Sequence, residues 1–156
     1  MKVTIDQIKK LRIETRAGVM EVRQALTESN SDMEKAKEWL RQKGLDKAAK
    51  KSDRETGDGL VEAYVHTGGK VGALVKLTCE TDFVARTEEF QKLAREIAMQ
   101  VASMNPENVE ELFKQTYIRD AKRTIEDLVK EAIAKLGENI KVDSFTRLAI
   151  EQTSTC

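Results

Sequence analysis

The stretch TCETDFVAR, residues 78–86, sets a carboxylate, Asp82, beside an aromatic ring, Phe83, between an apolar run and a helical pattern. Two interpretations compete. In one, Phe83 is the first core residue of the following helix, because it lies seven residues before Phe90 and would share a helix face with it. In the other, Phe83 projects from a loop toward another molecule, since Thr87 followed by two glutamates is the better helix start. The residues alone leave both interpretations open.

Few side chains have the types and spacing needed for covalent chemistry. A thiol enzyme would need Cys79 as nucleophile and His66 as base, but a buried strand-end cysteine and a histidine in a turn are the simpler interpretation. Three acidic residues fall in one helical segment: Glu126, Asp127 and Glu131. We interpret them as helix-start acids and a solvated face rather than as catalytic carboxylates. The sequence therefore predicts a protein that is not an enzyme.

No motif indicates a cofactor or a metal ion. The segment GGKVG around Lys70 lacks the glycine spacing of a phosphate-binding loop, and Val71 stands where Ser or Thr is required. The two cysteines, Cys79 and Cys156, are far apart and indicate neither a disulfide framework nor a metal site. We expect no metal, no cofactor and a reducing environment.

The composition is that of a folded protein rich in helix. Hydrophobic residues make up 40% of the 156 residues, charged residues 35% and aromatic residues only 4%, so the core must be mostly aliphatic. The formal net charge is zero, which argues against direct binding of nucleic acid. There is no apolar run of the ~20 residues that a membrane span requires, and the N-terminus lacks a signal-peptide pattern. We expect a cytoplasmic protein with no membrane contact.

The first 44 residues show three short helical patterns. Thr4 predicts a capping box at the start of the first, and Ser31 predicts another at the start of the third. The residues around Gly18 separate the first two helices, and Gly44 predicts the end of the third. Because helices this short bury little by themselves, residues 1–44 are predicted to pack as a three-helix module.

A polar segment follows, and then the period of the pattern changes. Residues 45–59 contain little that is apolar beyond alanine, which predicts a solvated, basic, helical linker ending in a loop. Apolar residues then alternate on both sides of the pair Gly68 and Gly69, which predicts a β-hairpin. Helical periods return from Thr87 and stop at Asn105-Pro106, which opens a shorter helix through Val109, Leu112 and Phe113. A further helix begins at Thr124.

The last stretch, residues 139–150, predicts a third strand. Its apolar residues share one parity: Ile140, Val142, Leu148 and Ile150. Residues 60–156 are therefore predicted to form a core in which a small three-stranded antiparallel sheet packs on helices. The fold class is α+β.

Two long motifs resemble the signatures of the elongation factor Ts family. LRIETRAGVMEVRQALTE at residues 11–28 resembles the first signature, and LTCETDFVARTEEF at residues 77–90 resembles the second. KAAKKSDRE and AIAKLGENIKV also match family patterns. The resemblance covers nearly the whole chain in the family's order and spacing.

The main departures lie in the first signature, where the family usually has TGAGMMD and this chain has TRAGVME. The replaced positions are Arg16, Val19 and Glu21, while Gly18 and Met20 remain. Arginine adopts a positive φ less easily than glycine, so we expect the geometry of this turn to be affected. The brief segment between Met104 and Thr124 indicates the short-core type of member, without a duplicated core.

The resemblance implies a guanine-nucleotide exchange factor for the translational GTPase elongation factor Tu. It implies that the N-terminal module resembles a ubiquitin-associated domain and docks on the nucleotide domain of that partner. The docking residues would be Arg12, Gly18, Val19, Met20 and Arg23. The second signature supplies a loop that would enter near the partner's magnesium and phosphate site: Thr81, Asp82, Phe83 and Val84. Phe83 would wedge between two partner helices while Asp82 anchors the loop.

Two further expectations concern assembly and alternatives. Apolar residues occur at both parities of the hairpin, so the sheet has two apolar faces and the helices can cover only one. We therefore expect a homodimer through the sheet, as the resemblance also implies for short-core members. The alternative function is an adaptor without exchange activity, whose three-helix module binds a ubiquitin-like or ribosomal partner.

Overall fold

The helices and strands follow one another along the chain in nearly the order that the hydrophobic periodicity of the sequence predicts. The computed structural model describes residues 3–150, so Cys156 lies outside the described residues. In chain order the elements are α1 Ile5–Thr15, α2 Val19–Glu28, α3 Met33–Ala49, β1 Asp58–Val65, β2 Val71–Cys79, α4 Asp82–Ala85, α5 Glu88–Met104, α6 Val109–Lys114, β3 Thr116–Tyr117, β4 Asp120–Thr124, α7 Ile125–Leu136 and β5 Ile140–Ala149.

The first three helices share a hydrophobic cluster of their own, which we call the N-terminal cluster. Its buried residues are Leu11, Val22, Ala25, Leu26, Ala36 and Leu40. The capping box at Thr4 is confirmed, because its hydroxyl accepts from the Gln7 N–H and the Gln7 side chain accepts from the Thr4 N–H. The three helices therefore pack around one small cluster of apolar side chains.

The predicted start of the third helix was wrong by one residue. Asp32, rather than Ser31, is the N-cap, and its carboxylate accepts from the backbone N–H groups of Glu34 and Lys35 at 3.0 and 3.1 Å. Ser31 instead has a positive φ of 65° in the preceding turn. A carboxylate satisfies two helix-start donors and complements the helix dipole, which explains why Asp32 takes the position.

The predicted end of the third helix at Gly44 was also wrong, because α3 continues to Ala49. A Cβ added at Gly44 would lie 3.0 Å from the Cβ of Ala134 in α7. The glycine therefore allows two helices to approach closely and does not terminate α3. Ala48 is buried in the main hydrophobic core, so the first part of the predicted linker is packed rather than solvated.

The predicted hairpin is confirmed. Strands β1 and β2 pair antiparallel, and β5 pairs antiparallel with the other edge of β2, which gives the order β1-β2-β5. The inward face of β2 carries Ala73, Val75 and Leu77, all buried. Helix α5 covers this face with Phe90 and Ile97, and both are fully buried. These side chains form the centre of the main core.

The third strand is confirmed, but the single parity predicted for it is wrong. Leu77 pairs with Val142 and Lys76 pairs with Ser144, so one residue of β5 is inserted between these pairs. Such a bulge exchanges the two faces of a strand beyond it. Ile140 and Val142 are buried as predicted, whereas Leu148 and Ile150 are exposed on the outer side.

A small second sheet, β3 with β4, was not predicted. It is held by Gln100, a buried polar residue of α5, whose amide nitrogen donates to the Thr116 carbonyl at 3.0 Å. The amide oxygen of Gln100 accepts from the Ile118 N–H at 3.1 Å. Tyr117 is buried beside it and donates its hydroxyl proton to Glu96 at 2.5 Å. Tertiary hydrogen bonds rather than an alternating pattern specify this hairpin.

Arg16 occupies the turn that the sequence indicated as unusual. It is the C-cap of α1 in the left-handed conformation, with φ 56° and ψ 13°, and its N–H donates to the Arg12 carbonyl at 2.8 Å. Its guanidinium forms an ion pair with Glu89 at the start of α5. Arginine is thus accommodated at this position in a left-handed backbone conformation that glycine adopts more easily, at the expense of local strain.

We expect Arg16→Gly to be more stable than Arg16→Ala by about 1 kcal/mol, because both remove the ion pair with Glu89 and only glycine relieves the left-handed strain. Urea denaturation of the two variants measures the difference. Lys9, exposed within α1, provides the matched control: there Lys9→Ala is expected to be more stable than Lys9→Gly, since the backbone is helical. The same order of stability at both positions would contradict the assignment of strain to Arg16.

Candidate functional site

The loop between β2 and α5 contains one helical turn, α4, which begins at Asp82. Thr81 precedes it in an extended conformation, with φ −133° and ψ 156°. The Ala85 N–H donates to the Thr81 carbonyl at 3.3 Å and the Arg86 N–H donates to the Asp82 carbonyl at 3.1 Å. Thr87 then caps α5 through the Phe90 N–H. The helical period of α5 starts after this turn, as the glutamates following Thr87 indicated.

Phe83 projects from the turn and is 80% exposed, whereas Phe90 is fully buried. The two rings do not share a face, because α4 and α5 are separate helices with Thr87 extended between them. The interpretation of Phe83 as a core residue is therefore wrong. A large aromatic side chain exposed on a short, hydrogen-bonded turn is available to contact another molecule.

The neighbours of Phe83 fasten the turn. Val84 and Ala85 are buried in the main core, so their side chains hold α4 against the sheet. Asp82 forms an ion pair with Arg86 at 2.8 Å within the same turn. Arg86 is exposed and Asp82 is half-buried, and ion pairs so open to solvent contribute little to stability.

The strongest contacts of this loop come from residues that the sequence did not single out. The Glu138 carboxylate accepts from the N–H groups of Glu80 and Thr81 at 3.0 and 2.9 Å, and from the Thr81 hydroxyl at 2.6 Å. The Glu80 carboxylate accepts from the Asn139 N–H at 2.7 Å, and this hydrogen bond holds the pKa of Glu80 below its usual value. The only available signal was the match of AIAKLGENIKV to a family pattern, which carries no role for a residue by itself.

The second candidate surface lies on the N-terminal helices. Its predicted residues are all exposed: Arg12, Gly18, Val19, Met20 and Arg23. Gly18 has φ −62°, and a Cβ added there would meet only a Glu21 carboxylate oxygen at 3.8 Å, so the fold does not require glycine. Met20 and Arg23 line a shallow depression of about 380 Å³ on the exposed side of α2.

The two candidate surfaces adjoin one ion pair. Arg16 lies two residues before Gly18, and its partner Glu89 lies six residues after Phe83. The loop that precedes α2 therefore approaches the start of α5.

The hypothesis of a thiol enzyme is wrong. Cys79 and His66 stand at opposite ends of the hairpin, because Cys79 pairs with Asp58 while the His66 N–H donates to the Val71 carbonyl beside the turn. At ~3.3 Å per strand residue their separation is roughly 25 Å. Burial also raises the pKa of the Cys79 thiol to about 11, which disfavours the nucleophilic thiolate.

The acidic residues of α7 are structural. Asp127 completes a capping box with Thr124, as expected of a helix-start acid. Glu131 was expected on a solvated face, but it is mostly buried and pairs with Arg123 at 2.7 Å. It lies in a cleft of about 460 Å³ between the N-terminal helices and α7. Its carboxylate forms an ion pair with the Arg123 guanidinium, which is a structural role rather than a catalytic one.

Two other features of the described residues bear on function. No group of three or more His, Cys, Asp or Glu side chains within residues 3–150 could hold a metal ion. Over the same range, no helix combines the length and the apolar character needed to cross a membrane. What the described surface does offer is a fixed turn with an exposed aromatic ring and a second surface near it. These features are typical of a protein-binding module.

Known proteins resemble the chain closely. A sequence profile of the family described as Elongation factor TS matches residues 80–155. An elongation factor Ts of Thermosipho melanesiensis is 43% identical over 188 aligned residues, which cover 92% of this chain and 96% of that protein. One from Oleidesulfovibrio alaskensis is 40% identical and covers 95% of this chain and 98% of its own length. One from Rippkaea orientalis is 42% identical and covers 96% and 78%.

The fold and the site are those of a protein-binding module of the α+β class, and the relatives support a role in translation elongation. The chain belongs to the elongation factor Ts family. The alignments span 188 to 195 positions, more than the 156 residues of this chain, so they contain gaps where the relatives have additional residues.

Because Phe83 is exposed, Phe83→Ala is expected to change the free energy of unfolding by less than about 0.5 kcal/mol. Phe90→Ala, which removes a fully buried ring of the same size, is expected to lose ~3–5 kcal/mol. Urea denaturation of both variants beside the unsubstituted protein measures the two effects. A loss at Phe83 as large as that at Phe90 would return Phe83 to the core.

Proposed function

We propose that this protein is a guanine-nucleotide exchange factor that binds elongation factor Tu in its GDP state and promotes release of GDP. The observation that carries the proposal is Phe83, 80% exposed on a turn whose backbone is fixed. Membership of the elongation factor Ts family supports the identity of the partner. The protein performs no covalent chemistry in this role; it accelerates a conformational step in another protein.

The proposed mechanism is a mechanical disturbance of the partner's nucleotide site. Phe83 inserts between two helices of the nucleotide domain, near the Mg²⁺ ion that bridges the phosphates and the protein ligands. Much of the affinity for nucleotide depends on that ion. Moving a protein ligand away from the ion therefore weakens the binding of GDP. Coupling between two binding events is reciprocal, and rebinding of nucleotide must therefore weaken the hold of this protein.

A rigid turn suits such a role better than a flexible loop. If Phe83 had to be ordered on binding, part of the interaction free energy would be lost to that ordering. Here Val84 and Ala85 are already buried, and Thr81 is already bonded to Glu138. The aromatic ring therefore meets the partner with its backbone in place.

We assign partner docking to the exposed residues of the N-terminal helices. The residues are Arg12, Gly18, Val19, Met20 and Arg23. Three helices around a small cluster, with Met20 72% exposed beside a depression on α2, support a module that resembles a ubiquitin-associated domain. Apolar side chains such as Met20 supply adaptable contact area.

The proposal includes a cytoplasmic location, no direct contact with nucleic acid or membrane, and no cofactor. A formal net charge of zero supplies no general attraction for phosphate backbones. At Phe83 and Met20 the surface instead offers exposed apolar side chains, which suit a protein partner.

The exchange role predicts a specific loss of activity for Phe83→Ala. We expect stimulated release of fluorescent GDP from elongation factor Tu to fall roughly thirty-fold to a thousand-fold, because truncating a central aromatic contact typically costs ~2–4 kcal/mol. Asp82→Ala is expected to have a smaller effect, since the side chain of Asp82 forms an ion pair only with its near neighbour Arg86, which is exposed.

The matched control for this experiment is Ile118→Ala, which truncates an exposed apolar side chain on the β3–β4 turn. It is expected to leave GDP release unchanged. If the unsubstituted protein binds elongation factor Tu without accelerating GDP release, the alternative function of an adaptor is favoured. If Phe83→Ala retains full activity, Phe83 is not the residue that acts on the partner.

We also propose that the protein forms a homodimer through the outer face of its sheet. This face carries five apolar side chains, Val61, Ala63, Val65, Leu74 and Leu148, and the register places the polar residues Lys76, Ser144 and Thr146 on the same face. Leu74 lies at the centre, between Ala63 on β1 and Thr146 on β5. A second sheet packed on this face would remove it from water, as in a β-sandwich.

Leu74→Lys is expected to convert the dimer to a monomer, because a buried unpaired ammonium at the centre of the face is strongly unfavourable. Light scattering at micromolar concentration measures the mass of both proteins. Glu107→Lys, which introduces the same charge at an exposed position between α5 and α6, serves as the control and should remain dimeric. A monomeric mass for the unsubstituted protein would contradict the proposal.

A further inference from the structure

The Phe83 turn is joined to a distant segment by side chains where the sheet ends. Cys79 pairs with Ile140, the last pair between β2 and β5 at this end. If the register continued, Glu80 would lie opposite Asn139 and Thr81 opposite Glu138. The strands separate here because Gly137, just before this point, turns the chain with φ 78°. Backbone pairing therefore stops two residues before α4.

Beyond this last pair, side-chain carboxylates take the place of the backbone hydrogen bonds between the two segments. Glu138 accepts from two consecutive backbone N–H groups, those of Glu80 and Thr81, and from the Thr81 hydroxyl. Hydrogen bonds to an ionised acceptor are shorter and stronger than neutral ones, and the 2.6 Å contact to the Thr81 hydroxyl has that character. These two N–H groups would otherwise lack a protein partner at the end of the strand.

The two segments hold each other in the same way. Glu80 accepts from the Asn139 N–H at 2.7 Å, so each segment supplies a carboxylate to the backbone of the other. Asn139 is buried, and its amide nitrogen donates to the carbonyls of Ser52 and Arg54 at 3.3 and 2.7 Å. The segment after α3, the end of β2 and the turn after α7 are thereby tied together.

Helix α4 cannot set its own direction. A single turn of four residues is unstable in isolation, and Thr81, its N-cap, makes no side-chain cap because its hydroxyl is engaged by Glu138. Asp82 bonds only within the turn, to Arg86. The turn is therefore held by its buried residues on one side and by Glu138 on the other.

We propose that Glu138 is a positioning residue for nucleotide exchange: its carboxylate fixes the backbone at Glu80 and Thr81 and so sets the direction in which Phe83 projects. This role rests on the proposed exchange function. The role assigned to Asp82, that of anchoring the loop, belongs on this geometry to Glu138.

The first test measures the hydrogen bonds from the Glu80 and Thr81 N–H groups to the Glu138 carboxylate, which we call the clamp, independently of exchange activity. NMR hydrogen exchange at the Glu80 and Thr81 amides is compared in the unsubstituted protein, in Glu138→Ala and in Glu138→Gln. We expect faster exchange at these two amides in Glu138→Ala, about tenfold or more, and near-normal protection in Glu138→Gln, whose amide oxygen can still accept from both. Glu107→Ala, which removes an exposed carboxylate elsewhere, is the control. Unchanged protection in Glu138→Ala would overturn the clamp.

The second test asks whether the clamp acts through Phe83. Stimulated GDP release, corrected for the folded fraction, is measured for Glu138→Ala, Phe83→Ala and the double variant. We expect Glu138→Ala to lose about tenfold and Glu138→Gln to recover most of it. In the Phe83→Ala background, Glu138→Ala should cause little further loss, since a positioning residue has nothing left to position. Equal losses in both backgrounds would overturn the role.

The two tests separate this inference from the exchange function. If the unsubstituted protein does not accelerate GDP release from elongation factor Tu, the exchange function is refuted, and the role of Glu138 in exchange is refuted with it. The amide protection still shows in that case whether Glu138 holds the backbone at Glu80 and Thr81. If the unsubstituted protein is active and Glu138→Ala is equally active despite loosened amides, the exchange function stands and the positioning role is refuted.

Discussion

The packing of α5 against one face of the β1-β2-β5 sheet is the constraint on which the rest of the structure depends. Phe90 and Ile97 of the helix and Val75 and Leu77 of the strand are fully buried together. Burying each such side chain contributes roughly 1.5–3 kcal/mol. Because strand side chains alternate between faces, the side chains between these buried ones, such as Leu74, lie on the outer face that α5 does not cover.

The start of α5 decides what the preceding turn can do. Thr87 caps the helix, which places Phe90 at the first buried position. The chain between Cys79 and Thr87 must then pass over the end of the sheet, where the ladder has stopped. Val84 and Ala85 hold this passage to the core, and Glu138 holds its beginning. Phe83 lies between these attachments and is left in solvent.

The contact between α3 and α7 joins the N-terminal helices to the core. Gly44 lets the helices approach closely at Ala134. Glu131 of α7 pairs with Arg123 at 2.7 Å and lies 3.8 Å from Arg41 of α3. One oxygen of this partly buried carboxylate is paired with Arg123, while its Oε1 has no hydrogen-bond partner among the described residues. The N-terminal helices, including α2, are thereby held in a defined relation to the core.

The sequence by itself determined the elements whose residues carry a complete local signal. The hairpin around Gly68 and Gly69, the helix capped at Thr87 and the box at Thr124 all follow from turn chemistry and periodicity, which act between near neighbours. The sequence motifs also indicated the elongation factor Ts family and drew attention to Phe83. Only the tertiary structure decided that Phe83 is outside the core, because two helix starts compete locally and packing against the sheet selects Thr87.

The same reason explains the other differences. Gly44 resembles a helix stop until Ala134 lies against it, and the parity of β5 changes at a bulge that only its pairing with β2 reveals. Gln100 looks like an interruption in the apolar face of α5, yet it is satisfied by a hairpin sixteen residues away. Nothing near Glu138 in the sequence distinguishes it from an ordinary surface glutamate, and its hydrogen-bond partners lie 57 and 58 residues earlier. Contacts between residues so far apart leave no local pattern, so the fold alone brings them together.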